Sequence, residues 1–351
     1  MKALVKYAAA DGAVEVRDVP VPEASPGAVL VRVHTVGVCG SDIHMWHNSQ
    51  SKSSVGILPV TLGHESAGEI AAVGAGVEGW TVGDRVVCET AASICGRCAL
   101  CRAGRYNLCP YRAGYGLKRD GAMAEFLVAE PRVLHRIPDG VSFEAAAMTE
   151  PFAVAFNAVV ERAGVTPGDL VVIQGAGAIG ILALQVAILQ GAATTVVLGT
   201  DIDAGRLATA RTLGADHVLN VQRDDPADLV RTLHDGLGAD LVVDATGVSV
   251  ALQTGMQLVR PAGSIAKVGW GPQPLGFTID PLVKKAVTLY GCYSHTWNTW
   301  ERVLRLFADG RLHPERVLGG RYPIEDWQEA FTAMQEGRNV KSALSLRGET
   351  R

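Results

Sequence analysis

The 351-residue sequence has no run of about 18 apolar residues free of polar interruption, so it offers no candidate membrane-spanning helix. Its first twenty residues contain no apolar run of signal-peptide length and no clear cleavage site, so a cytoplasmic location is expected. Neither charge dominates. The 32 Lys and Arg against 36 Asp and Glu, net −4, give no electrostatic reason to expect a nucleic acid or an anionic membrane as partner. Proline, at 16, is no more than its ordinary share of about 5%, which argues against a low-complexity linker protein. No repeat of about 20–50 residues is evident, which argues against a solenoid. What remains is 48% apolar and 19% charged, enough for a sizeable core, at a length that suits about two domains.

Glycine is abundant, at 40 residues, well above the usual share of about 7%. It shows no three-residue period, so collagen is excluded, and the fold must need many tight turns or close backbone approaches. The seven cysteines are an odd number, and four of them crowd into residues 95–109. In a reducing compartment such a cluster reads as metal-binding rather than disulfide-bonded.

Two regimes follow along the chain. Up to about residue 150, short Val-, Leu- and Ile-rich runs (Val29–Val33, Ser66–Val73, Arg85–Cys88, Ala124–Val128) are separated by Gly, Pro and Asp turns, as in a barrel-like β domain. From about 154 to 290, strand candidates alternate with helical stretches. Leu170–Gln174, Thr194–Leu198, Asp216–Leu219, Leu241–Asp244, Ser264–Val268 and Val287–Tyr290 predict a six-stranded doubly wound parallel sheet. A further helix is expected over Thr299–Ala308.

Gly175-Ala176-Gly177-Ala178-Ile179-Gly180 matches a G-x-G-x-x-G pattern. The pattern alone is weak, and the sequence holds its own control. Gly74, Gly76 and Gly79 match too, but Trp80-Thr-Val-Gly-Asp-Arg follows and no helix can start there, so that copy predicts a hairpin turn. The Gly175 copy follows a strand and opens a helix. In that context the first Gly turns the chain, the second admits a cofactor pyrophosphate, and the third lets helix and strand pack. Asp201, after the next strand, is placed to accept hydrogen bonds from an adenosine ribose, which favours NAD over NADP. Asp203 is better spaced to cap the following helix. Arg206 complicates the choice, because a nearby Arg can also accommodate a 2′-phosphate.

Cys95-x2-Cys98-x2-Cys101-x7-Cys109 is a strong pattern. Four thiolates in so short a span suit a closed tetrahedral zinc with no room for substrate, although iron–sulfur sites use similar spacing. A second candidate metal set is scattered: Cys39, His64 and a carboxylate, Glu65 or Glu150. Three protein ligands would leave a fourth position open, as catalytic zinc requires. One thiolate and one carboxylate would bring the charge of Zn²⁺ near zero.

The Cys39-Gly-Ser41-Asp42-Ile-His44 run, Gly63-His64-Glu65-x2-Gly68-x5-Gly74, the four-cysteine lobe and Gly175-x-Gly-x2-Gly together resemble the zinc-dependent medium-chain dehydrogenases across nearly the whole chain. Glu150 in Thr-Glu-Pro resembles the sorbitol (polyol) and threonine dehydrogenase branches. The resemblance implies a GroES-like, β-barrel-like catalytic domain over 1–153 and 291–351, with a structural zinc lobe at 90–112. It implies a Rossmann NAD-binding domain over 154–290.

It further implies two zinc ions and NAD. The catalytic zinc would sit on Cys39, His64 and one of Glu65 and Glu150, the other acting directly or through water, and the structural zinc on Cys95, Cys98, Cys101 and Cys109. Asp42 would orient His64. Ser41 would take the substrate proton and pass it to His44. Gly175, Gly177, Ala178, Ile179, Gly180, Asp201, Arg206, Val268 and Gly269 would contact the cofactor. Trp46, His47 and the Tyr293-Ser-His295-Thr-Trp297-Asn298 stretch, led by Tyr293, are expected to line a substrate pocket. The implied partner is a small polyol or other secondary alcohol, with L-threonine, a vicinal diol or a sugar acid as alternatives, and the implied assembly is a homodimer or homotetramer. A non-catalytic NAD-binding relative is the answer from a different class, opposed by the intact Cys39, Ser41, His44, His64 and Glu150.

Overall fold

The computed structural model describes residues 1–49, 56–271 and 273–346. Its centre is a six-stranded parallel sheet in the order His217–Asn220, Thr194–Gly199, Leu170–Gln174, Ala239–Asp244, Val259–Lys267, Thr288–Gly291. The order reverses direction between Leu170–Gln174 and Ala239–Asp244, and ligands bind at such a switch point, beyond the carboxyl ends of the strands. Leu170–Gln174 is buried at all five positions because helices cover both faces of the sheet, which explains its unbroken apolar run.

The hairpin reading of Gly74–Gly79 holds. Those residues connect antiparallel strands Glu65–Val73 and Arg85–Cys88, with Gly76 and Gly79 at positive φ. At Gly74 a side chain has no room, because an added Cβ would stand 2.0 Å from the Ser25 carbonyl oxygen.

The second large sheet has seven strands. Six run in the order Leu318–Pro323, Lys341–Ser345, Val29–Gly37, Glu65–Val73, Arg85–Cys88, Leu134–Arg136, and Phe126–Ala129 pairs with Val29–Gly37 off that path. The chain's late segment thus returns to its beginning: Ala343 pairs antiparallel with Gly37. A three-stranded sheet, Val14–Asp18, Lys2–Lys6 and Val60–Thr61, completes this β-rich part. The helix Trp297–Ala308 packs on Thr149–Phe156, where Phe307 meets Phe152 edge to face. A buried polar chain ties the cysteine lobe to that helix. The Tyr106 hydroxyl donates to Glu89, and the two nitrogens of the His135 ring face Glu89 and Glu301.

Candidate catalytic metal centre and cofactor cleft

The strand Val29–Gly37 ends two residues before Cys39, which caps the short helix Gly40–Trp46. The Asp42 carboxylate accepts from the Cys39 backbone N–H at 2.9 Å and so closes this helix start. Its other oxygen stands 3.9 Å from Nδ1 of His64, an ion-pair distance rather than a hydrogen bond. Ser41 and His44 are three residues apart on the helix and share a face. His44 is exposed, with Nδ1 3.0 Å from the Ser49 hydroxyl.

Ligand atoms of Cys39, His64 and Glu65 lie within 4.8 Å of one another. Glu65 starts a central strand and is fully buried, and its carboxylate is held by Nζ of Lys341 at 2.6 Å. Lys341 also donates to the Val38 carbonyl. Gly37 leaves the space for this carboxylate, since an added Cβ would stand 2.2 Å from Glu65 Oε2. Glu150, in the first turn of Thr149–Phe156, is buried, and its Oε1 lies 3.2 Å from Nε2 of His295.

The charges of these groups are interdependent. Burial drags the His64 imidazole down, but Cys39, Asp42 and Glu150 together hold it well above the ordinary histidine value. Burial pushes the Asp42 carboxyl up, only partly countered by His64. It pushes Glu65 up as well, against the pull of Lys341. At Glu150 burial is outweighed by the hydrogen bond and charge of His295, so this carboxyl sits below its usual value. A buried carboxyl group, Glu65, beside a thiol and an imidazole, with Lys341 as its counter-charge, offers the donor set of a zinc site. Zinc therefore fits, with Glu65 converging on Cys39 and His64 while Glu150 is tied to His295.

The four cysteines of the lobe also converge within 4.8 Å and carry no disulfide. Cys95 Sγ lies 3.9 Å from Cys101 Sγ and 3.7 Å from Cys109 Sγ. A zinc tetrahedron with four sulfur ligands has edges of about 3.8 Å, so these spacings fit a metal directly. Backbone N–H groups of Arg97 and Cys98 point at Cys95 and bring its thiol down to about 6, favouring the ligating thiolate. The Cys98→Ser variant is expected to hold one zinc per chain instead of two and to melt roughly 5–10 °C lower, read by elemental analysis and calorimetry. A variant that loses this zinc but keeps its melting temperature would remove the structural role.

The glycine fingerprint lies at the switch point. Gly175 has φ +95°, and Gly180 sits so close that an added Cβ would come 1.8 Å from the Gly175 carbonyl. Gly177 meets nothing within 4 Å and faces open space at the start of the helix Ala178–Leu189, where Ala178 and Ile179 form the first turn. That space, with the helix's unpaired N–H groups, suits a pyrophosphate. Val268 and Gly269 both donate backbone N–H groups to the Asp244 carbonyl, beyond the ends of two strands.

Asp201 is exposed and accepts from Asn220 at 2.6 Å and Arg223 at 2.7 Å. Asp203 precedes the helix Ala204–Thr212 but its side chain reaches back instead, accepting from the backbone N–H and hydroxyl of Thr200, which caps the turn Asp201–Asp203. Arg206 departs from expectation. It pairs with Asp203 and donates to the carbonyls of Met334 and Asn339, so it clamps the C-terminal segment instead of facing a ribose. The arginine beside Asp201 is instead Arg223, which no spacing rule singled out.

Trp46 and His47 also depart from expectation. Trp46 packs against Trp327 and Phe331, and His47 lies against Asp11 and Gln335. Apolar burial against the helix Trp327–Gln335 claims that face of Gly40–Trp46, and Ser41 and His44 lie off it. Tyr293 is half-exposed, accepts from Arg112 at 2.9 Å and has the exposed Trp270 ring 5.7 Å away. Lys341 and Gly37 escaped sequence reasoning entirely, as neither lies in a recognisable motif.

Residues 25–139 match the family described as alcohol dehydrogenase GroES-like domain, and 178–309 that described as zinc-binding dehydrogenase. The chain is 38% identical to a sorbitol dehydrogenase of Halalkalibacterium halodurans, covering 98% of this chain and 99% of that protein. It is 35% identical to a D-arabitol-phosphate dehydrogenase of Enterococcus avium, over 99% and 98% of the two chains. The solved alcohol dehydrogenase of Thermus sp. ATN1 superimposes with a TM-score of 0.88 at 31% identity, over 99% of this chain and 100% of that one. The chain belongs to the zinc-dependent medium-chain dehydrogenase superfamily, in its polyol dehydrogenase branch.

Proposed function

We propose that the protein oxidises a secondary hydroxyl of a polyol or sugar-derived alcohol to the ketone, with NAD⁺ as hydride acceptor. The observation that carries this is the convergence of Cys39, His64 and Glu65 within 4.8 Å beside the Ser41–His44 face. Three ligands leave a coordination position for a hydroxyl. When bound there, zinc supplies Lewis acidity to that hydroxyl, and NAD⁺ in the switch-point cleft supplies the hydride acceptor.

The chain's own residues do the rest. Ser41 accepts the hydroxyl proton and hands it to His44, whose exposure opens the way to water. Asp42 fixes the Cys39 end of the helix and presents negative charge to His64. Asp201 receives the adenosine ribose, with Arg223 and Asn220 steadying its carboxylate. The names of the relatives, sorbitol and D-arabitol-phosphate dehydrogenases, support a polyol as substrate class. Domains at 1–153 with 291–351 and at 154–290 accord with the late strands rejoining the N-terminal sheet. A dimer or tetramer would suit the edge strand Thr288–Gly291, whose outer side is open among the described residues.

The test is NADH absorbance at alkaline pH with a polyol panel, L-threonine and 2,3-butanediol, with and without a chelator. Polyol-dependent, chelator-sensitive absorbance faster with NAD⁺ than with NADP⁺ is expected. Silence with every alcohol would favour a non-catalytic cofactor-binding protein. An equal or higher rate with NADP⁺ would defeat the role of Asp201. In the Ser41→Ala variant, kcat should fall about 10²- to 10³-fold with both zinc ions retained. Unchanged turnover would remove the relay.

A further inference from the structure

We propose that His295 is a positioning residue for Glu150: Trp300 locks it in the Nε2–H form, which ties down one Glu150 oxygen and turns the other toward the metal position. This rests on the reading of Cys39, His64 and Glu65 as metal-binding residues.

The Trp300 indole N–H can only donate, and it meets Nδ1 of His295 at 2.5 Å. Nδ1 must therefore accept, so the ring proton resides on Nε2. That nitrogen stands 3.2 Å from Glu150 Oε1, and an ionised carboxylate only accepts. Donor and acceptor roles thus run in one direction, from Trp300 through His295 to Glu150. The three residues are 1%, 2% and 6% exposed, so water does not compete for these bonds.

The backbone around His295 is built for this placement. Ser294 adopts φ +57°, a left-handed conformation that a non-glycine residue holds only when its surroundings impose it. Those surroundings are on the helical run that carries Glu150. The Asn157 side chain donates to the Ser294 carbonyl at 2.9 Å, and Thr299 donates to Glu161 at 3.0 Å. The run 149–162 therefore grips the His295 segment at three points, one of which is the carboxylate to be aimed. Orienting partners of this kind are what metal-facing side chains depend on.

The test has two readouts that do not require turnover. In ¹⁵N-histidine-labelled protein, long-range ¹H–¹⁵N correlation should show His295 protonated on Nε2 and unprotonated on Nδ1. Loss of that pattern in Trp300→Phe would confirm the lock. In a chelator competition, His295→Phe should bind the catalytic zinc about 10- to 100-fold more weakly while the four-cysteine zinc stays. His295→Gln, which puts an amide N–H near the place of Nε2, should recover most of the affinity and controls for misfolding. Wild-type affinity in both variants, or a proton on Nδ1, would overturn the proposal while leaving the metal site standing. A wild-type chain that binds zinc only at the four cysteines would instead overturn the metal reading, and the proposal with it.

Discussion

The His64→Ala variant is expected to keep its fold and its four-cysteine zinc, and to lose about three orders of magnitude in kcat/KM. His64 is one of three ligands that converge among the described residues, and its loss leaves a thiol and a carboxylate as the converging pair. Lewis-acid stabilisation of a developing alkoxide amounts to several kcal/mol, and each ~1.4 kcal/mol is tenfold in rate. Lost stabilisation of about 4 kcal/mol gives the expected ~10³. The ring is 14% exposed, so its removal opens a small cleft rather than a core cavity. Elemental analysis should find one zinc per chain beside the lowered rate. A variant with one zinc and a rate within tenfold of wild type would show that the metal does not assist the reaction.

Lys341→Met is expected to have the largest effect on stability, and the size should depend on metal. The ammonium is 2% exposed and holds Glu65, which no solvent reaches. Removing one member of a buried ion pair costs about 3–5 kcal/mol, because the other charge is left unpaired in a poorly polarisable interior. The metal-free variant should therefore melt roughly 10 °C lower. Zinc on Glu65 would supply the missing positive charge, so the zinc-loaded variant should lose much less. Differential scanning calorimetry with and without chelator reads both numbers. Equal losses in the two forms would mean that Glu65 does not face the metal.

The sign of the pH response follows from the same pair. Lys341 is held above its ordinary value, net of burial, by Glu65 and Cys39. A group raised on folding contributes stability that is complete below its unfolded value and fades as pH climbs through the folded one. That contribution is lost only in strongly alkaline solution, above the range of an ordinary assay.

The sequence was most legible where chemistry needs local spacing. The cysteine lobe, the Gly175–Gly180 fingerprint and the Cys39–His44 run each lie within a few residues, and the structure brings each together as a unit. What escaped is non-local. Lys341 meets Glu65 across 276 positions, and Arg223 meets Asp201 only because neighbouring parallel strands end side by side. Arg206, Trp46 and His47 were misplaced because sequence gives the helix but not which neighbour will claim its faces. There the late segment decides: it takes Arg206 through carbonyls at 334 and 339, and Trp46 through Trp327 and Phe331.

The pairing of Lys341–Ser345 with Val29–Gly37 also fixes an order of events during synthesis. Domains fold largely as units from the amino end as the chain emerges from the ribosome. Here Cys39, His64 and Glu65 are made 276 or more positions before the buried counter-charge of Glu65, Lys341. Until that strand arrives, Glu65 lacks Lys341 and Val29–Gly37 lacks one of its partner strands. The buried Glu65 carboxylate therefore gains its counter-charge only after the whole dinucleotide-fold sheet between them has been made.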